Sequence, residues 1–180
     1  DAYAYTSNET VRKLWKWTAG GKFPVVLDVS SCTHTLQHCR TVLTDKNKEY
    51  FDQLTIIDSI DYLFDQVLPR LKDVRKKDSI VLHPVCTLKK MGLESKLFQI
   101  AGRFAHKVDN PLTAGCSVMA GDRGFLFPEL TAAATAPEAG EVKRKEYEGY
   151  YSTAKTCEMA MSDAVSKNYE SILYLADECL

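Results

Sequence analysis

Nowhere in this chain do two cysteines stand two residues apart. Without a C-x-x-C pair, neither a zinc ribbon nor a ferredoxin-type loop is encoded locally. There is also no P-loop, no G-x-G-x-x-G turn and no Ser/His/Asp arrangement. Nothing therefore argues for an independent hydrolase or nucleotide site. No apolar run approaches the length of a bilayer span, and no signal-peptide pattern is visible. The formal net charge is −1, so the overall balance suggests no nucleic-acid or membrane-surface partner. Neither an internal repeat nor a low-complexity tract breaks the chain, and residues 1–180 are expected to form a single domain. The chain opens Asp1-Ala2-Tyr3 without methionine. A processed chain is one expectation and a piece of a longer protein is the preferred one, so the missing targeting signal says little about a parent.

What is present is cysteine. Six of them (Cys32, Cys39, Cys86, Cys116, Cys157, Cys179) occur in 180 residues that are 45% hydrophobic and 26% charged. A chain with that much core does not need disulfide staples, and the count reads instead as metal-binding or redox chemistry. The spacings require any site to be assembled from distant segments. Cys116 lies in the run Gly115-Cys116-Ser117-Val118-Met119-Ala120-Gly121-Asp122-Arg123-Gly124. Glycines let backbone N–H groups approach closely and an arginine offsets negative charge, which suits an anionic inorganic centre better than a core.

Patterning predicts alternating strands and helices. Thr6-x-x-Glu9 has the form of a capping box for a helix to about Thr18, closed by Gly20-Gly21. Short strands are expected at Phe23–Val29, Leu54–Ile57, Ser79–Leu82, Lys107–Val108, Tyr150–Thr153 and Ser171–Tyr174. Helices are expected over Thr33–Leu43, from the cap at Asp58 to Leu71, over Leu88–His106, from Pro128-Glu129 with a break or restart at Pro137, and from Cys157 to about Val165. A last turn or helix covers Leu175–Leu180. The alternation implies an α/β fold, a mostly parallel sheet with helices on both faces. Ligand sites in such sheets gather at the C-terminal strand edge. Cys32 and Cys86 follow strand ends, and Cys116 and Cys157 lie in connections just before helices, so all four can reach that edge.

Four thiolates would hold a soft centre, either zinc or an iron–sulfur cluster. Taken one at a time, each cysteine is equally well a small buried apolar side chain, and for Cys39 and Cys179 that reading is preferred. Cys39 falls inside a helical stretch and Cys179 at the chain's frayed end. His34 and His38, four residues apart, leave a mixed Cys/His zinc site open, although each is more simply a structural histidine. His83-Pro84 shapes the turn that delivers Cys86. Asp58 and Asp61 read as helix-start residues, and the Val74–Lys77 run as a solvated loop.

The motifs S-S-C-T (30–33), H-P-V-C (83–86), G-C-S-V-M-A-G-D-R-G (115–124), P-E-L-T (128–131) and T-C-E-M (156–159) together resemble the C-terminal cysteine-rich, or CCG, domain of FAD-linked D-lactate dehydrogenases and glycolate oxidases. That domain type is shared with heterodisulfide reductases, and the resemblance covers about Pro24 to Leu175. It implies Cys32, Cys86, Cys116 and Cys157 as the ligands of one [4Fe-4S] cluster, with Gly121 and Arg123 beside it. Loop 121–124 should turn its N–H groups toward the sulfurs; alternatively, Arg123 pairs with Glu129 and only holds the turn. The family's Cys-Cys-Gly is here Cys116-Ser117-Val118, and of a C-x-x-C near the last motif only Cys157 remains. FAD and ferredoxin-like domains of a parent chain are the implied partners, with a quinone or another acceptor downstream. A cytoplasmic location follows, peripheral to the inner membrane through the parent. The implied role is electron relay, without catalysis by this chain alone. Two other readings stay open: a degenerate domain that binds no cluster, and a zinc-stabilised interaction domain.

Overall fold

A computed structural model describes all 180 residues, Asp1–Leu180. The chain divides into two compact units, Asp1–Tyr62 and Leu63–Leu180. Each contains its own all-parallel sheet flanked by helices, so the expected α/β class is present, with two sheets in place of one.

In the first unit, helix α1 (Ala2–Trp17) starts a full turn earlier than the Thr6 box suggests. Asp1 is the cap: its carboxylate accepts the Tyr3 N–H at 3.0 Å, and an anion suits the positive end of a helix. The helix stops before Gly20 and Gly21, at φ +75° and +82°. Strand β1 (Val25–Leu27) pairs in parallel with β2 (Ile56–Asp58), Val25 opposite Ile56. Between them come α2 (Ser30–Gln37), a 3-10 turn at Cys39–Val42, and α3 (Asp45–Phe51). Helix α3 is not expected from the pattern. Thr44 caps it by accepting the Asn47 N–H, and the Asn47 side chain reaches Asn8 on α1 at 2.7 Å. Val11, Cys39 and Leu43 form the small core. After β2, Asp58 accepts the Ile60 N–H at 3.0 Å and starts α4 (Ser59–Tyr62).

The helix expected from Asp58 to Leu71 does not continue as an α-helix. The second unit begins with a π turn at Leu63–Val67 and a 3-10 turn at Leu68–Arg70. Pro69 has no N–H to offer the previous turn, so the segment ends there. Strand β3 (Lys77–Leu82) leads into α5 (Cys86–Lys90) and α6 (Glu94–Phe104). The single helix expected over Leu88–His106 is two, separated by Gly92 at φ +72°. Strand β4 (Ala105–Asp109), the short α7 (Arg123–Leu126) and α8 (Pro128–Val142) follow. Helix α8 runs straight through Pro137. The carbonyl left without a donor belongs to Ala133, and both residues face outward, where water can serve it.

Strand β5 (Gly149–Ser152) and α9 (Lys155–Val165) come next, then β6 (Tyr169–Ser171) and α10 (Ile172–Cys179). The strand expected at Ser171–Tyr174 is mostly helix. Ser171 caps it by accepting the Leu173 N–H, and Ile172, Leu175, Ala176 and Cys179 repeat at helical spacing on its buried face. The sheet order is β4-β3-β5-β6, every pair parallel. Ile80, Val81 and Leu82 of central β3 are fully buried. Val81, Tyr150, Tyr169, Ala139, Val142, Met161 and Val165 pack as a core of sheet and helix side chains. No helix is long and apolar enough to cross a membrane.

Candidate cysteine site

Three connections of the second unit deliver cysteines to one place. The first follows β3. The His83 N–H donates to the Tyr151 carbonyl at 2.9 Å, and the Ser152 hydroxyl donates to the His83 carbonyl at 2.8 Å. These bonds tie the ends of β3 and β5 together, so Cys86, first residue of α5, and Cys157, third residue of α9, leave the sheet side by side. The third, Cys116, comes from the long loop after β4.

The sulfurs interact. Burial pushes the Cys86 thiol above its ordinary value, and the neighbouring sulfurs of Cys116 and then Cys157 push it further, against the opposing charge of Lys90. Cys86 and Cys116 are exposed and Cys157 is half-buried. The loop supplies donors to the sulfurs. Val118 N–H donates to Cys116 Sγ at 3.4 Å. The Ser117 hydroxyl lies 3.3 Å from Cys157 Sγ and also accepts from Met119 N–H at 3.5 Å. Val118 (φ +58°), Ala120 (+39°) and Gly121 (+74°) all take left-handed backbone. For a β-branched valine that is an uncommon conformation, and strain of this kind gathers at functional loops.

Behind the sulfurs sits a buried ion pair. His83 is 1% exposed and Glu138 2%. His83 Nδ1 is 2.9 Å from each oxygen of Glu138. Burial pulls the imidazole's pKa down, but the neighbouring Cys157 sulfur and the Glu138 carboxylate outweigh it and raise the value to about 9. Sequence reasoning singles out neither Glu138 nor Ser117. A signal for Glu138 exists: Thr135, Glu138, Ala139 and Val142 share the buried stripe of α8, and a carboxylate on such a stripe needs a partner.

The other expected residues fall as follows. Cys32 is exposed, in the first turn of α2 in the first unit. There it lines a cavity of about 440 Å³ with Tyr3, Thr6, Thr10, Leu27 and Cys39. Three of the four expected ligands thus belong to the second unit and one to the first. Cys39 is buried in the first unit's core. Cys179 is 2% exposed, inside α10 and not at a frayed end; its thiol points to the Phe104 carbonyl at 3.7 Å. Gly121 lies in the turn before α7, and Arg123 opens that helix. The N–H that bonds a cysteine sulfur comes from Val118, upstream of the 121–124 turn. The Gly124 N–H is spent on the Met119 carbonyl at 3.0 Å. Arg123 forms no ion pair with Glu129.

His34 and His38 stack on each other in the first unit, 4.3 Å between ring centres, and His38 Nδ1 bonds the His34 carbonyl at 2.7 Å. No three His, Cys, Asp or Glu side chains are arranged to hold a single metal ion. The donors that gather in the second unit are all sulfur, the donor type that soft centres take. His83 spends Nδ1 on Glu138, and its buried Nε2 has no hydrogen-bond partner. No protein-family model matches the chain, and no curated protein matches it either.

Proposed function

We propose that this chain is the iron–sulfur electron-transfer domain of a flavin-dependent 2-hydroxy acid dehydrogenase of the D-lactate or glycolate type. The observation that carries the reading is the meeting of Cys86, Cys116 and Cys157, from three separate connections, with N–H and O–H donors aimed at two of their sulfurs. Hydrogen bonds to ligand sulfur are among the means by which a protein sets a cluster's potential. When bound, a [4Fe-4S] cluster would supply one-electron steps between a two-electron flavin and a downstream acceptor such as a quinone.

The chain's own residues supply the rest. Cys86, Cys116 and Cys157 bind. Val118 and Ser117 orient the sulfurs of Cys116 and Cys157. Ser117 stands where the family pattern has its second cysteine, and its hydroxyl serves Cys157 in place of a further thiol. The role of Cys32 as fourth ligand rests on the resemblance alone.

Anaerobic reconstitution of the chain with ferrous iron and sulfide tests the reading. About four irons and four labile sulfides per chain are expected, with visible absorption that bleaches on reduction. Cys86→Ser, Cys116→Ser and Cys157→Ser should each reduce the iron bound, while Cys39→Ser and Cys179→Ser should not. A colourless protein carrying one zinc would establish the interaction-domain reading instead. In the parent enzyme the same serine variants should still reduce flavin with substrate but slow transfer to the acceptor. The isolated chain should turn over neither D-lactate nor glycolate.

A further inference from the structure

We infer that the first unit carries a small-molecule site, the cavity between α1 and α2, and that it takes a neutral, extended aliphatic molecule with one hydroxyl or carbonyl group. The site lies wholly within Asp1–Tyr62 and does not depend on the relay reading.

The cavity is held open by the way α1 packs on its other neighbours. Asn8, Val11 and Trp15 share one face of that helix. Asn8 donates to the Val42 carbonyl at 3.1 Å and accepts the Thr44 N–H at 2.9 Å. Val11 packs in the core with Cys39 and Leu43. The Trp15 ring stacks on Tyr50 with 4.2 Å between centres. These contacts fix α1 against α3 and the 3-10 turn. The adjoining face, Tyr3, Ser7 and Thr10, is left looking across a gap at α2. About 440 Å³ stays unfilled there, inside the roughly 300–1,000 Å³ range of small-molecule sites.

The lining decides what fits. Leu27, Leu36 and the sulfurs of Cys32 and Cys39 give apolar, soft walls, and no charged side chain is among them. An ion entering would lose its hydration without compensation. Hydroxyls supply the polar groups, and the most buried of them belongs to Ser7, which is 7% exposed. That hydroxyl has no hydrogen-bond partner in the protein. A polar side chain on a helix can turn back to the carbonyl four residues earlier, as Asn8 does to Ala4 at 2.8 Å; Ser7 makes no such bond to Tyr3. A hydroxyl both donates and accepts, so Ser7 is equipped to pair with an alcohol or a carbonyl oxygen. From Tyr3 to Thr10 the lining face covers about 10 Å of helix, at about 1.5 Å per residue, which suits an extended alkyl chain of medium length.

The test uses the full metal-free chain with 1-octanol as probe. Cys32 stands exposed on the cavity's lining, while Cys86 and Cys116, also exposed, belong to the second unit. 1-Octanol should slow the alkylation of Cys32 by iodoacetamide, followed by peptide mass spectrometry, and leave the rates at Cys86 and Cys116 unchanged. Octanoate, of the same chain length but charged, should protect little. Ser7→Ala should raise the octanol concentration for half-protection about three- to tenfold, the worth of one neutral hydrogen bond. Thr10→Phe, which fills the cavity from α1, should abolish protection. In the unaltered chain the methyl resonances of Leu27 and Leu36 should shift with the probe, a readout that needs no variant. No protection of Cys32 up to the solubility of 1-octanol, or equal protection by octanoate, would overturn the inference. Protection of Cys32 that grows with chain concentration in the absence of probe would overturn it too, because a second copy would then fill the gap.

Discussion

Replacing Glu138 by leucine is the most revealing perturbation of this fold. The change leaves His83, 1% exposed, without the carboxylate that both fixes and charges it. Breaking a buried pair by removing one partner typically costs about 3–5 kcal/mol, because the survivor stays buried and uncompensated. For a chain of this size that is roughly a 6–20 °C fall in Tm, at about 2–4 °C per kcal/mol. His83→Leu should cost a similar amount by stranding Glu138. The double variant should be less damaged than either single one, since two apolar side chains fill the space without a desolvated charge. Chemical denaturation of the four proteins closes the cycle.

The pH dependence has a definite sign. The folded-state pKa of His83, about 9, lies above its unfolded value of about 6.5. The pair's contribution is therefore complete below about pH 6.5 and fades as pH rises through about 9. The variants lacking His83 should lose that alkaline dependence. Single losses that simply add in the double variant would refute the argument, because independent residues add and a coupled pair does not.

Two further outcomes concern the first unit. Gly21→Ala places a Cβ against the backbone carbonyl of Gln53, 2.9 Å from its carbon, at a φ of +82°. A loss of at least about 2 kcal/mol is expected in urea unfolding; a loss under about 0.5 kcal/mol, an ordinary surface effect, would contradict the close approach. Asp58 is fully buried. Burial raises its pKa, against the lowering effect of bonds from Ile60 N–H and the Thr33 and Ser30 hydroxyls. A carboxyl raised in the folded state adds stability at low pH and loses it as pH climbs through the folded value. Asp58→Asn should therefore be more stable than the parent chain at pH 7 and show less gain on acidification; a less stable variant at pH 7 would reverse the sign.

Much of the architecture was legible locally. The β-branched runs around Val25, Ile56 and Ile80 and the tyrosine pair at Tyr150-Tyr151 are strands, and the strand–helix alternation determined a parallel α/β arrangement because helical crossovers bring strands back in the same direction. The bland reading of Cys39 and Cys179 agrees with their burial. Boundaries were less legible where a terminal or tertiary partner decided them. Asp1 outcompeted Thr6 as a cap, Asn47 anchored α3 through Asn8, and the outward face of Pro137 let α8 continue.

For the site, the sequence by itself determined which cysteines follow strand ends and precede helices, since those positions depend only on neighbours along the chain. Tertiary structure alone decided which of them meet. Cys86, Cys116 and Cys157 are 30 or more residues apart in the chain; the meeting of Cys86 and Cys157 follows from the β3–β5 pairing, which no local pattern records. The His83–Glu138 pair spans 55 residues, and its charge persists against burial only because the fold brings the carboxylate to the imidazole. Periodicity can place Glu138 on a buried stripe, but only the packed fold shows that the stripe faces an imidazole.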